Sequence, residues 1–182
     1  MGNFKMLGLL AVAAAALMAL AGTASATTLT SPEGTPYTGT LEATSENLVI
    51  EGTFVTFFCG HSVIEAKVEN HGSSEAVTGQ ISDLSFSGCN YEMTVKNNGS
   101  FEILSDGSFV WTGVVLTIHT SVGTCIFTTI ENKLGTITGG ASPALDLGPA
   151  ILPRTGGNFL CGSSSKGTGS YSIATPSSLW VD

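Results

Sequence analysis

Basic side chains are scarce in this chain, with 6 Lys and Arg against 14 Asp and Glu in 182 residues. The resulting net negative charge is repelled by the phosphates of nucleic acid and by anionic membrane surfaces, and neither is expected as a partner. Acidity of this kind serves solubility outside the cell. Histidines number only 3 and no Cys-x-x-Cys pair occurs, which removes the closely spaced ligands of a zinc ribbon. Beyond residue 26 no stretch keeps a helical period, and none is apolar for long enough to cross ~30 Å of hydrocarbon. No cysteine precedes Cys59, so a lipid-modified cysteine at an N-terminal cleavage site is not available.

The chain does carry an export signal. Lys5 stands before an apolar stretch from Leu7 to Ala21, and Ala24-Ser25-Ala26 offers an A-x-A cleavage site before Thr27. The apolar stretch is short for a transmembrane anchor. Residues 1–26 are therefore read as a secretory signal peptide, and residues 27–182 as a single β-rich domain that is secreted and works outside the cell or at its surface. Those 156 residues carry five basic side chains against fourteen acidic ones, a net charge of −9. A domain of this length buries roughly 68 to 70% of the unfolded chain's surface, enough for a real core.

Cys59, Cys89, Cys125 and Cys161 lie in a chain expected to be exported, where thiols persist as disulfides. Three pairings are possible. Sequence order favours Cys59 with Cys89 and Cys125 with Cys161, each closing a loop that a few strands would fill. Loops of that length contribute about 3 to 4 kcal/mol apiece in the chain-entropy model. A four-thiolate zinc site is the competing reading, and the wide spacing speaks against it.

Thr, Ser, Gly and β-branched residues dominate the rest. From Ser62 to Glu69 the pattern alternates: Ile64, Ala66 and Val68 would face a core, and Glu65, Lys67 and Glu69 would face water. Tyr91–Val95 and Phe101–Leu104 flank Asn97-Asn98-Gly99, which reads as a hairpin because Asn and Gly tolerate positive φ. Asp106-Gly107 then turns the chain into a strand over Phe109–Thr120, so the region reads as an antiparallel meander. Further strands are predicted at 37–42, 48–58, 76–87, 125–131, 135–138, 158–161, 169–174 and 179–181. Many short antiparallel strands between Gly and Ser turns predict an all-β fold. A β-sandwich, immunoglobulin-like or related, is favoured because several turns are long enough to cross between sheets, with a closed β-barrel as the alternative. A faint echo, Phe57-Phe58-Cys59-Gly60 and Phe159-Leu160-Cys161-Gly162, raises the idea of two related halves without supporting a domain boundary.

Several motifs mislead. Leu152-Pro153-Arg154-Thr155-Gly156 matches the sorting signal cleaved by sortases, but the apolar span and basic cluster that must follow are missing. Pro153 reads instead as a loop or edge strand, with Gly156-Gly157 completing a turn. Ser163-x-x-Lys166 matches a penicillin-binding nucleophile motif but sits in a Gly- and Ser-rich segment that reads as a loop, where that chemistry needs a helix start. His61, His71 and His119 are too scattered for a ligand set and read as ordinary surface or partly buried side chains. Asn98-Gly99-Ser100 formally matches a glycosylation acceptor but reads as a hairpin tip. The fourteen acids offer many carboxylate pairs, and only their spacing in the fold could give one a glycosidase role.

Three segments resemble a group of secreted, β-rich actinobacterial proteins with no assigned activity. They are Ile81-Ser82-Asp83-Leu84-Ser85-Phe86-Ser87-Gly88-Cys89, Leu134-Gly135-Thr136-Ile137-Thr138-Gly139-Gly140, and Leu152-Pro153-Arg154-Thr155-Gly156-Gly157 leading to Phe159-Leu160-Cys161. The resemblance implies export and a β-rich fold and transfers no catalytic residue.

The reading that results is a non-catalytic extracellular β-domain with a surface-binding or structural role, acting through loops at a sandwich end or through an exposed sheet face. Cell-surface polysaccharide or another extracellular protein is the expected partner, with no cofactor, no metal and no stable membrane insertion. Tyr37, Tyr171 and Trp180 are the candidate ligand contacts, because stacking needs exposed rings, whereas Trp111 is assigned to the core. The alternatives are a secreted hydrolase assembled from distant loops, a small-ligand carrier and an inhibitor. Converging carboxylates or a Ser and a His in a cleft would mark the first, a deep apolar cavity the second, and a rigid cysteine-tethered loop the third.

Overall fold

The computed structural model describes residues 28–69, 76–121, 123–130 and 132–182. The signal-peptide assignment, Thr27 and His71 lie outside the described residues. The strands are β1 (Leu29–Thr30), β2 (Gly39–Ser45), β3 (Leu48–Glu51), β4 (Thr56–Glu69), β5 (Val77–Cys89), β6 (Glu92–Asn97) and β7 (Ser100–Ile103). They continue as β8 (Ser108–Thr112), β9 (Val115–Thr120), β10 (Gly123–Thr128), β11 (Asn132–Thr138), β12 (Ala144–Gly157), β13 (Ser164–Thr175) and β14 (Trp180–Val181), with a 3-10 turn at Phe159–Cys161 between the last two long strands. Every pairing between strands is antiparallel.

β4 shows how the sequence produces this. Its burial alternates residue by residue, with Ile64, Ala66 and Val68 inside and Glu65, Lys67 and Glu69 outside, because successive strand side chains point to opposite faces. The inward rows of all the long strands meet in one core built on Phe57, Ile64, Ile103, Phe127, Leu145 and Tyr171. Burial of such side chains contributes about 1.5 to 3 kcal/mol each. Trp111 belongs to this core, 5% exposed, and its indole N–H donates to the Asn98 carbonyl at 3.1 Å.

The main sheet runs β2/β3–β4–β5–β7–β8–β11–β12–β13 and returns to β2 and β3, which share one place between β13 and β4. It is not a clean barrel, because the register shifts in four of its ladders and β12 runs on into a second sheet. That second sheet, β12–β10–β9–β6, stacks Phe127 edge-on against Phe57 of the main sheet, with ring centroids 6.2 Å apart. The fold is thus an all-β, antiparallel, sandwich-like one. β1 and β14 form a separate two-stranded ribbon.

Both disulfides follow sequence order. Cys59 and Cys89 stand directly opposite each other across β4 and β5, and Cys125 of β10 is bonded to Cys161 of the 3-10 turn.

Several predicted elements differ from those observed. Asn97-Asn98-Gly99 is not a hairpin: β6 pairs with β9 in the second sheet, while β7 pairs with β5 and β8 in the main one. The segment carries the chain between sheets, and Gly99 is needed there because its φ of +72° and its close approach to the Thr112 carbonyl leave no room for a Cβ. The meander is therefore interrupted. The strand predicted at 109–120 is two, β8 and β9, which belong to different sheets and are separated at Gly113. The stretch 48–58 is likewise divided at Gly52. Residues 158–161 form the 3-10 turn rather than a strand. The Leu152–Gly157 segment is not a loop and turn but the second half of β12, with Ile126 opposite Gly156. Within this strand Gly156 is paired and Thr155 is the extra residue at a register shift. The Ser164–Lys166 segment, read as a loop, opens β13. The two Cys-Gly echoes adopt different conformations, strand and 3-10 turn, and give no support to related halves.

Candidate functional site

Two of the largest exposed apolar side chains lie on loops that touch. Gly52–Val55 joins β3 to β4 and is closed by the Gly52 amide donating to the Val55 carbonyl at 2.9 Å. The turn after β12 begins at Asn158, whose side-chain oxygen accepts from the Leu160 amide at 2.9 Å and so starts the 3-10 turn. The loops meet where Gly162, at φ +77°, lies so close to Thr53 that a Cβ would collide with its side chain. Phe54 on the first loop is 72% exposed and Phe159 on the second 76%.

Both loops are tied down. The Cys125–Cys161 disulfide anchors the 3-10 turn to β10. Arg154 of β12 braces it from behind: its amide donates to the Ser163 carbonyl at 2.9 Å, and its guanidinium donates to the Gly162 and Gly157 carbonyls. Arg154 is thus occupied in holding backbone, and the nearest exposed charges are Glu51 and Lys166, opposite each other across β3 and β13. Residues 52–60 and 155–165 contain no charged side chain, although the domain as a whole is strongly acidic. What the two loops present is two exposed phenyl rings beside Thr53, Thr56, Asn158, Ser163 and Ser164.

The predicted contact residues are elsewhere. Tyr171 is a correction: it is only 1% exposed, accepts a hydrogen bond from Ser62 Oγ at 2.8 Å, and burial pushes its phenol up to about 12. A ring in that position cannot stack on an external ligand. Trp180 is part of the β1–β14 ribbon, opposite Thr30, and Tyr37 lies beside it with its amide donating to the Leu29 carbonyl; both are partly buried. The Tyr37 hydroxyl donates to the Thr40 carbonyl, and burial raises its pKa. Phe54 and Phe159 were not singled out because phenylalanine ordinarily reads as core. The signals available were Gly52, which breaks the strand before Phe54, and Asn158, a turn-starting residue just before Phe159.

Other concave regions do less. An enclosed apolar space of about 40 Å³ remains between Leu48, Trp111, Leu134 and Tyr171, far below the ~300 to 1,000 Å³ of ordinary ligand sites. An open groove of about 590 Å³ crosses β5, β7 and β8, lined by short polar side chains such as Thr78, Gln80, Ser100 and Glu102. His61 Nδ1 lies 3.3 Å from Glu46 Oε1, with side chains 44% and 79% exposed. His119 Nδ1 lies 3.2 Å from Thr124 Oγ1 at the surface. Among the described residues neither imidazole is hydrogen-bonded to a serine, no three potential ligands cluster for a metal, and no helix is long and apolar enough to cross a membrane.

The fold and this end define a disulfide-stapled, sandwich-like β-domain with a braced aromatic tip. The chain matches no protein-family model, no curated protein and no solved structure.

Proposed function

We propose that this is a secreted, non-catalytic β-domain that binds an uncharged polysaccharide at the cell surface through the Phe54 and Phe159 end. The observation that supports this most is the pair of exposed rings on two braced loops free of charge. The apolar faces of sugar rings stack on aromatic side chains, and the hydroxyls and amide around them can meet sugar hydroxyls. The loops themselves carry no charge, and Glu51 and Lys166 beside them are one of each sign, which suits a neutral polymer. Bracing by Arg154 and the disulfide lowers the ordering cost of binding. The two disulfides are compatible with an oxidising compartment, and the export signal and the resemblance to secreted actinobacterial proteins point the same way.

The small enclosed space weighs against a carrier. The tethered loop carrying Phe159 meets one expectation for an inhibitor, but its backbone is a 3-10 turn, not the extended strand that a protease cleft accepts.

Retention of the oxidised protein on washed envelopes, isolated wall polysaccharide and an unrelated protein surface tests the proposal. Saturable binding to the polysaccharide is expected, weakened at least about fivefold in Phe54→Ser/Phe159→Ser, since two lost stacking contacts are worth about 1 to 3 kcal/mol. Glu102→Gln in the polar groove should leave it unchanged. Retention on none of the surfaces, or binding indifferent to both rings, would sink it.

A further inference from the structure

The exposed aromatic surface does not stop at the loops. Phe58 stands on β4 two residues past Thr56, about 7 Å along the strand from the base of the Gly52–Val55 loop. Its ring points outward and is 52% exposed, whereas the outward positions further along β4 hold Glu65, Lys67 and Glu69. We propose that Phe58 is a further contact for the same ligand, so that the polysaccharide is recognised as an extended chain of several sugar units running from Phe54 down β4, and not as a single terminal sugar. This rests on the reading of the two loops as the binding end.

Three features of the strand favour this occupant. The backbone under the ring is held on both sides. Phe58 pairs with Val49 of β3, and on its other side the side-chain oxygen of Asn90 accepts from the Phe58 amide at 3.0 Å, while the Asn90 amino group donates to the Thr56 carbonyl at 3.0 Å. The Cys59–Cys89 disulfide ties the next residue to β5, so little freedom is lost when a ligand settles on the ring. The surface beyond the ring is bare. Gly60, the next exposed residue of β4, lies beside the exposed Gly88 of β5, and two neighbouring glycines leave a shelf on which a sugar ring can approach the backbone closely. The fold does not itself demand glycine at position 60: its φ is not positive, and a Cβ there would meet only the Gly88 carbonyl, at 3.7 Å. The path is also free of fixed charge, since no Asp, Glu, Lys or Arg lies between Gly52 and Ile64. An extended neutral polymer fits this run, whereas a charged one finds no counter-charge along it.

Calorimetric titration of the oxidised protein with neutral wall-polysaccharide fragments, released by partial acid hydrolysis and sorted by length, tests this, with circular dichroism to confirm the fold of each variant. Affinity for the wild type is expected to rise with fragment length and then level off. Phe58→Ser should weaken binding of the long fragments about two- to tenfold, through loss of one aromatic contact, and leave the shortest unchanged. Phe58→Tyr keeps the ring and should behave as the wild type. Gly60→Leu covers the shelf without straining the backbone and should remove the advantage of length. Affinity independent of length, or a length advantage that survives Phe58→Ser or Gly60→Leu, would overturn the proposal. In that case short fragments that still require Phe54 and Phe159 would leave the binding end standing, whereas no binding at any length would remove both.

Discussion

Thr117 stands in the middle of the second sheet, opposite Thr94 on one side and Ile126 on the other, with its Oγ1 buried and without a hydrogen-bond partner. A buried, unpaired hydroxyl carries its full desolvation cost. Thr117→Val keeps the branched shape and removes that cost, so stability to urea is expected to rise by about 1 kcal/mol. An unchanged or lower midpoint would show that the hydroxyl is satisfied. Tyr171 makes the opposite case, a buried hydroxyl that is partnered. Its pKa is raised from 10.0 in the unfolded chain to about 12, by burial first and against the lowering effect of Ser62. The neutral phenol therefore supports the fold in full below pH 10, and that support is lost as the pH climbs through about 12. Unfolding followed across that window should show the loss in the wild type and a smaller one in Tyr171→Phe, which retains only the weaker same-direction effect of Tyr37. Tyr171 also shows a limit of reading single residues. An aromatic ring with a polar tip suits a binding surface or a core equally well, and only the serine that β4 places beside it decides. Phe54 and Phe159 erred the other way, since residue type suggested the core and loop position put them in solvent.

Among the elements, β4 was legible from Ser62 to Glu69 because the alternation there is the direct imprint of one buried face, whereas its start at Thr56–Phe58 was read as the end of a strand beginning at Leu48. β12 was not, because Pro149, Pro153 and paired glycines suppress every strand signal, and only its ladders with β11, β13 and β10 hold it extended. Of Asn97-Asn98-Gly99 only Gly99 takes the positive φ on which the hairpin reading rested. The segment's destination was not legible, since local sequence does not say which sheet receives the next strand. The cysteine pairs were readable from order and spacing, but their settings differ. Cys89 is partly exposed and lines a surface depression of about 330 Å³ beside β6, whereas Cys125 and Cys161 are 0% and 2% exposed. Access limits thiol exchange. Under native conditions a mild thiol should therefore reduce Cys59–Cys89 first, and timed alkylation with peptide mapping should find Cys125 and Cys161 unlabelled until the domain unfolds. Simultaneous labelling of all four would contradict the burial argument.

At the scale of the whole molecule, the all-β class and the single stapled core could be read from composition, cysteine count and the lack of helical period. A sandwich could be read as well, but not which strands fall in which sheet, because that depends on β8, β9 and β12 changing neighbours at glycines that look like ordinary turns. The order in which the main sheet is assembled follows from its connectivity. β13 lies between β12 on one side and β2 with β3 on the other, so the C-terminal long strand joins the first part of the chain to the last. Until residues 164–175 have been synthesised, β2, β3 and β12 all expose raw edges, and the circuit cannot be closed from the N-terminal side. The nascent chain is thus held back from completing its native topology until its final segment arrives. Such a long-range requirement slows folding and leaves those edges open for longest in the pathway.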